Sequence, residues 1–327
     1  MSKVRIYGTL GPACSNTNTL EEMHREGMTG IRLNLSHTAL DEARELIEAY
    51  LSAADRCGVK PDLLIDMQGP ELRIGTLAAP LVLIKGSSIS VDSIPFPDSV
   101  KEALSHSDTG REILLDDGKL LLSSEQNGML LVLRGGQLES RKSVTLQGIR
   151  INEPAVTEQD RLNLNMAASY GVTGVMQPFV RGRDDLNEVR SAMNAAGLYG
   201  ARLLAKIENA DGVGALDDII PCCDEVVIAR GDLGNSMDLW KLPAVQKRIS
   251  ESCRKAGRDF MVVTQMLDSM IRRSVPTRAE VSDVFNAVLD GAASVMLTGE
   301  TASGQYPVQA IRYLSKTACE AVRFRDQ

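Results

Sequence analysis

Eight runs of strand length, rich in apolar residues, recur along this 327-residue chain, at 4–9, 30–35, 63–67, 174–178, 202–208, 225–229, 260–265 and 294–298. Helical patterning fills most of the intervals, as at 40–54 and 242–256. Alternating strands and helices imply parallel strands joined by crossovers, which confines the chain to α/β architectures. Thr157-Glu158-Gln159-Asp160 and Thr277-Arg278-Ala279-Glu280 read as helix-starting capping boxes, and Gly171 and Gly257 as helix ends. One interval breaks the pattern. From 74 to 145 the chain carries short β-like runs at 81–84, 88–91, 113–115, 120–122 and 130–133. Turn signals separate them, including Lys85-Gly86, Asp117-Gly118 and Asn127-Gly128. The reading is a (β/α)8 TIM barrel, formed by 1–73 and 146–327, with a small all-β lid domain inserted after strand 3.

Composition limits the function classes. A formal net charge of -7 with no basic run argues against nucleic-acid binding. The six Cys include no Cys-x-x-Cys pair, and the adjacent Cys222 and Cys223 suit neither a disulfide framework nor zinc, so reduced, mostly buried thiols are expected. The start, Met1-Ser2-Lys3-Val4-Arg5, leads directly into a strand. No signal peptide or long apolar span is evident, so the expectation is a soluble cytoplasmic protein with no membrane partner.

Chemistry in such a barrel gathers at the C-terminal strand ends. Arg32, Asn34 and Ser36 alternate along strand two and share a face. Asp66 ends strand three, Lys206 and Glu208 end strand five, and Asp232 follows strand six. Thr264 lies near the end of strand seven, and Thr298 and Glu300 near that of strand eight. Charge at the end of a buried strand is expensive unless paired. Two carboxylates converging beside a lysine suit a divalent cation and an anionic substrate. Lys206 with Glu208, or Arg32 with Asp66, also fits a rim salt bridge.

The ordered motifs resemble the pyruvate kinase family. They are Thr9-Leu10-Gly11-Pro12-Ala13, Arg32-Leu33-Asn34-Leu35-Ser36-His37, Asp66-Met67-Gln68-Gly69-Pro70-Glu71-Leu72-Arg73, Lys206-Ile207-Glu208-Asn209, Ala229-Arg230-Gly231-Asp232-Leu233-Gly234, Thr264-Gln265-Met266-Leu267-Asp268, Pro276-Thr277-Arg278-Ala279-Glu280 and Thr298-Gly299-Glu300-Thr301-Ala302. The resemblance implies a glycolytic phosphotransferase moving a phosphoryl group between phosphoenolpyruvate and a nucleoside diphosphate (pyruvate and ATP in reverse) through a Mg-bound enolate. On that resemblance, Glu208 and Asp232 bind Mg²⁺ or Mn²⁺, and Lys206 neutralises the migrating phosphoryl group. Gly231 and Asp232 receive the substrate carboxylate, and Arg32 contacts the phosphate. Thr264 orients the carboxylate or relays a proton, with Thr298 and Glu300 in the same polar relay. Asn34, Ser36, Asp66 and the Met67 carbonyl match a K⁺ site, and Glu71 resembles the residue of K⁺-dependent members. Arg73, Asn34, His37, Pro12, Lys142 and Asp117 fall on the nucleotide side. His37 equally well caps a turn. The chain stops at Gln327, so the family's C-terminal regulatory domain is expected to be absent, and a homodimer through barrel faces is expected.

Departures cluster around the phosphate. Met67-Gln68 stands where the family commonly has Thr-Lys, and Pro178 stands in place of a Ser. The segment Ser143-Val144-Thr145-Leu146-Gln147-Gly148 lacks the usual Gly, Asn and Pro. The alternatives are a phosphotransferase with another acceptor, a metal-dependent pyruvate-enolate aldolase or lyase on a related barrel, and a non-catalytic metabolite-binding paralogue. His24 and His106 read as surface residues, and Trp240 as a helix-opening residue suited to a subunit contact.

Overall fold

The computed structural model describes residues 4–149, 151 and 153–327. Met1, Ser2 and Lys3 lie outside the described residues. The chain divides into two compact units. The first comprises Met1–Gly69, Ala155–Leu233 and Trp240–Gln327, and the second Pro70–Pro154 and Gly234–Leu239.

The first unit is a closed barrel of parallel strands. These are β1 (Arg5–Thr9), β2 (Gly30–Asn34), β3 (Leu63–Asp66), β4 (Gly174–Gln177), β5 (Arg202–Ile207), β6 (Glu225–Ala229), β7 (Asp259–Val263) and β8 (Ser294–Met296). Each lies within a residue or two of the run read from the sequence. β1 closes the barrel by pairing with β2 on one side and β8 on the other. Tyr7, Leu64, Met176, Leu204, Val227 and Met261 pack the interior. Burying each contributes about 1.5–3 kcal/mol, and the unbranched Met side chains suit an irregular barrel lumen. Outer helices bury one stripe each: Arg183–Ala195 turns Leu186, Val189, Ala192 and Met193 inward, at the spacing of one helical face. Both capping boxes form, Thr157 with Asp160 and Thr277 with Glu280.

The N-terminal strand ends carry a charge network. Arg202 donates to both carboxylate oxygens of Asp62, to the Tyr7 hydroxyl and to Glu225. Arg5 reaches Glu225 at 3.0 Å and Asp259 at 2.9 Å. Each of these residues opens a strand, directly precedes one or, for Tyr7, lies within it.

The second unit holds a five-stranded antiparallel sheet and a two-stranded one. The sheet includes Glu112–Leu115, Leu120–Ser124 and Met129–Arg134. Three features add to the sequence reading: the short strands Gly136–Leu138 and Val144–Leu146, and a helix at Asp98–Ser105. Ile94, Val100, Ile113, Leu122 and Val132 sit in its core.

His24 corrects its surface assignment. It is 6% exposed, its ring stacks on Tyr50, and Nδ1 lies 3.0 Å from the Met28 carbonyl oxygen. Its position four residues after buried Leu20 puts it on the apolar stripe of helix Thr17–Arg25. The free thiols are mixed: Cys14, Cys223 and Cys253 are buried, Cys57 and Cys222 half-buried, and Cys319 exposed. Trp240 is exposed in a short 3-10 turn, Leu239–Lys241. No helix among the described residues is long and apolar enough to cross a membrane.

Candidate active site

At the C-terminal strand ends a chain of alternating charges links three strands. Arg32, on β2, donates through Nε to Asp66 at 2.8 Å and pairs with it through Nη2 at 2.7 Å. Lys206 Nζ lies 3.1 and 3.0 Å from the two Asp66 oxygens and 3.0 Å from Glu208. The other Glu208 oxygen accepts from the Phe179 backbone N–H at 2.8 Å. Strand geometry explains the convergence. Lys206 and Glu208 are two residues apart at the end of β5 and share a face. Asn34 and Asp66 are register partners across β2 and β3.

The electrostatics follow from burial. Burial opposes ionisation of Asp66, yet the adjacent Lys206 and Arg32 cations hold its carboxyl below the ordinary value. Burial likewise opposes the Lys206 charge, but Asp66 and Glu208 overcome it and hold the ammonium protonated well above its usual range. Glu208 goes the other way. Burial raises it to about 7; Lys206 works against the rise, and the Asp232 and Asp66 carboxylates add to it. Two buried carboxylates, Asp66 and Glu208, thus face two cations, with the half-buried Asp232 carboxylate close enough to Glu208 to oppose its ionisation.

That repulsion between Glu208 and Asp232 is what a bound cation would relieve. Glu208, buried, and Asp232, in the first turn of the short helix Arg230–Asn235, present carboxylate oxygens suited to Mg²⁺ or Mn²⁺. Among the described residues no group of three or more His, Cys, Asp or Glu could hold a metal ion. Mg²⁺ suits that arrangement, since it is commonly held by one or two carboxylates plus substrate oxygens and water. Asn34, Ser36, Asp66 and the Met67 carbonyl offer oxygen donors at two adjacent strand ends that could hold a monovalent cation, with both Asp66 oxygens engaged by Lys206 and Arg32 in this structure. The Asn34 side-chain oxygen accepts from the Ser36 N–H at 3.1 Å.

Thr264 follows β7 with φ +77°, and Gln265 has φ +54°. Two consecutive left-handed residues, one of them β-branched, are a genuine outlier. Arg230 clamps them. It donates to the Thr264 carbonyl through Nε at 3.1 Å and Nη2 at 2.9 Å, and to the Gln265 carbonyl at 3.1 Å. Asp283 holds the same guanidinium at 2.6 Å. A Cβ at Gly231 would lie 3.0 Å from Thr264 Cγ2, so the absent side chain leaves room for that threonine. Glu300 is buried and accepts through one oxygen from the Leu267 N–H at 3.1 Å and through the other from the Thr298 N–H at 2.8 Å. It braces the β7 and β8 exits against each other.

Arg32, Asp66, Lys206 and Glu208 thus form one cluster, and Thr298 and Glu300 another. Pro12 and His37 are exposed just past β1 and β2. Arg73, Asp117 and Lys142 belong to the second unit. There Arg73 pairs with Glu71 at 2.9 Å, Lys142 with Asp116 at 3.0 Å, and Asp117 accepts from the Ser143 hydroxyl at 2.8 Å. The Arg230–Asp283 clamp is missing from the sequence reading. Arg230 directly follows a buried strand, the same signal that singles out Lys206.

The comparisons agree on one family. The model described as pyruvate kinase, barrel domain, matches residues 1–311. Pyruvate kinase of Geobacillus stearothermophilus is 35% identical over 345 residues, covering 99% of this chain and 58% of that relative. Pyruvate kinase of Methylorubrum extorquens is 39% identical over 334 residues, with 98% and 69% covered. Pyruvate kinase of Aeropyrum pernix is 35% identical over 326 residues, with 98% and 71% covered. The chain spans 58% of the length of the Geobacillus relative, under two thirds of it.

Proposed function

The chain belongs to the pyruvate kinase family, and from that premise we propose that it moves a phosphoryl group between phosphoenolpyruvate and a nucleoside diphosphate. The observation that carries the reading is the buried Lys206 ammonium held by Asp66 and Glu208, with Arg32 on the far side of Asp66. Phosphoryl transfer needs positioning and charge neutralisation more than covalent chemistry. Lys206 stays charged and neutralises oxygen charge as the phosphoryl group leaves. Arg32 has a rigid planar fork suited to a phosphate, and can turn to one from Asp66. Glu208 and Asp232 would hold Mg²⁺, which would supply Lewis-acid stabilisation of negative charge on substrate oxygens. Asn34, Ser36, Asp66 and Met67 hold K⁺. Thr264 orients the substrate or relays a proton, while Glu300 fixes Thr298 and the loop beyond Thr264. Pro12, Asn34 and His37 at the barrel rim serve the nucleotide side. The working form is a homodimer in the cytoplasm.

A specific observation favours a second reading, in which the acceptor is not ADP. Pro178 offers neither hydroxyl nor N–H. The next two backbone donors are already committed, Phe179 to Glu208 and Val180 to the Lys206 carbonyl. The β4 exit is therefore poor in phosphate-binding donors. Phosphorus NMR of phosphoenolpyruvate with Mg²⁺, K⁺ and a panel of nucleoside diphosphates and other acceptors tests both readings. Transfer to any of them, lost in Lys206→Met, supports the phosphotransferase. Consumption of phosphoenolpyruvate that survives Lys206→Met contradicts it.

A further inference from the structure

We propose that Gln68 and Asp160, neither of which matches a ligand position, are the positioning residues that aim the K⁺ site's oxygens; the inference rests on the K⁺ reading above. In a planar trans peptide the C=O of one residue and the N–H of the next point in opposite directions. The Met67 carbonyl shares its peptide with the Gln68 N–H. That N–H donates to Asp160 Oδ1 at 2.8 Å, and the following Gly69 N–H donates to Oδ2 at 3.0 Å. Asp160 thus fixes the direction of the Met67 carbonyl from behind. It is fully buried and itself held by the Thr157 N–H and hydroxyl, so the anchor is rigid.

Gln68 secures the other half. Its side-chain amide donates to the Leu35 carbonyl at 3.0 Å. The Leu35–Ser36 peptide is then pinned at both ends, since the Ser36 N–H donates to the Asn34 side chain at 3.1 Å. The Leu35 N–H meanwhile donates to the Asp66 carbonyl at 2.9 Å. Leu35 stands between the ligand candidates Asn34 and Ser36, and Gln68 stands beside Met67. The two strand exits that supply the four ligands are therefore stitched together by Gln68, at the position where this chain departs from the family's common lysine. Groups that orient ligands in this way typically influence ion affinity by about 10–100-fold.

The test uses Gln68→Met, which keeps the side chain's length but removes the donor, and Gln68→Lys, which restores one. Thallous-ion NMR titration and the K⁺-induced shift in melting temperature read binding directly, beside the K⁺ half-saturation of turnover. The expected result is monovalent-ion affinity weakened about tenfold or more in Gln68→Met, with Gln68→Lys close to wild type and Mg²⁺ affinity without K⁺ unchanged in both. Asp160→Asn, which keeps one acceptor and the helix start, is expected to weaken the monovalent ion in the same selective way. Wild-type affinity in Gln68→Met and Asp160→Asn overturns the positioning role. Equal loss of Mg²⁺ and K⁺ affinity overturns it too, as general misfolding. Failure of the wild-type protein to bind either K⁺ or Tl⁺ overturns the underlying K⁺ reading instead.

Discussion

Thr264 carries a backbone cost that its side chain makes worse. A left-handed residue with a Cβ costs about 1–2 kcal/mol, and such strain persists only where surrounding structure enforces it. Arg230 supplies the enforcement, through the two carbonyls it grips. Thr264→Gly relieves the strain at the expense of about 0.5–1 kcal/mol of chain entropy. The expected outcome in urea unfolding is unchanged stability or a gain of up to about 1 kcal/mol, with a marked fall in turnover; a clear loss of stability would show the conformation to be unstrained. Glu208 gives a pH prediction with a definite sign. Its folded value is raised from the ordinary 4.5 to about 7. Its contribution to stability is therefore full below about 4.5 and lost as pH rises through about 7. A divalent cation binds the ionised form, so the Mg²⁺-induced rise in melting temperature should be larger at pH 8 than at pH 6. A shift independent of pH would place the metal elsewhere. Lys206, Glu208, Asp66 and Arg32 are legible in the sequence because strand alternation and the cost of a charge at a buried strand end act locally. The Arg230–Asp283 and Gln68–Leu35 contacts are not, since a separation of 53 or 33 residues in sequence says nothing about distance until the barrel closes.

Among the elements, legibility follows length and chemistry. The barrel strands are readable because each is an apolar run bounded by turn or cap signals. The strand Gly136–Leu138 opens on Gly135-Gly136, which reads as a turn signal, and Val144–Leu146 offers a single apolar alternation. The helix Asp98–Ser105 has eight residues in a region dominated by β-like runs. Caps belong to this scale as well. Thr277 accepts from the Glu280 N–H, while Glu280 returns to the Thr277 N–H and also holds Ser269 by its backbone and hydroxyl. Thr277→Ala should lower unfolding free energy by about 1 kcal/mol. Because Glu280 also secures the loop after β7, turnover should fall with it; unfolding data alone within error of wild type would show that the cap contributes nothing.

The barrel as a whole separates stability from chemistry by end. Both ends are charged, but differently. At the N-terminal strand ends Arg202 bonds Asp62, Tyr7 and Glu225 Oε2 together, and Arg5 pairs with the same Glu225 oxygen, leaving Oε1 buried without a hydrogen-bond partner. Removing one partner of such a network strands its buried neighbours. Arg202→Ala should cost about 3–5 kcal/mol in unfolding while leaving the Michaelis constant for phosphoenolpyruvate near wild type in the folded fraction. At the opposite end buried Asp66 and Glu208 face Arg32 and Lys206, and Asp232 works against the ionisation of Glu208, an arrangement suited to binding a cation. Phosphoryl transfer is the chemistry this charged end suits. The direct measurement is pyruvate release from phosphoenolpyruvate and ADP with Mg²⁺, with and without K⁺. K⁺-dependent turnover within the common enzyme range of about 1–10³ s⁻¹ is the expected result. No pyruvate release with both ions present, with ADP or with any other acceptor in the panel, is the result that rules phosphoryl transfer out.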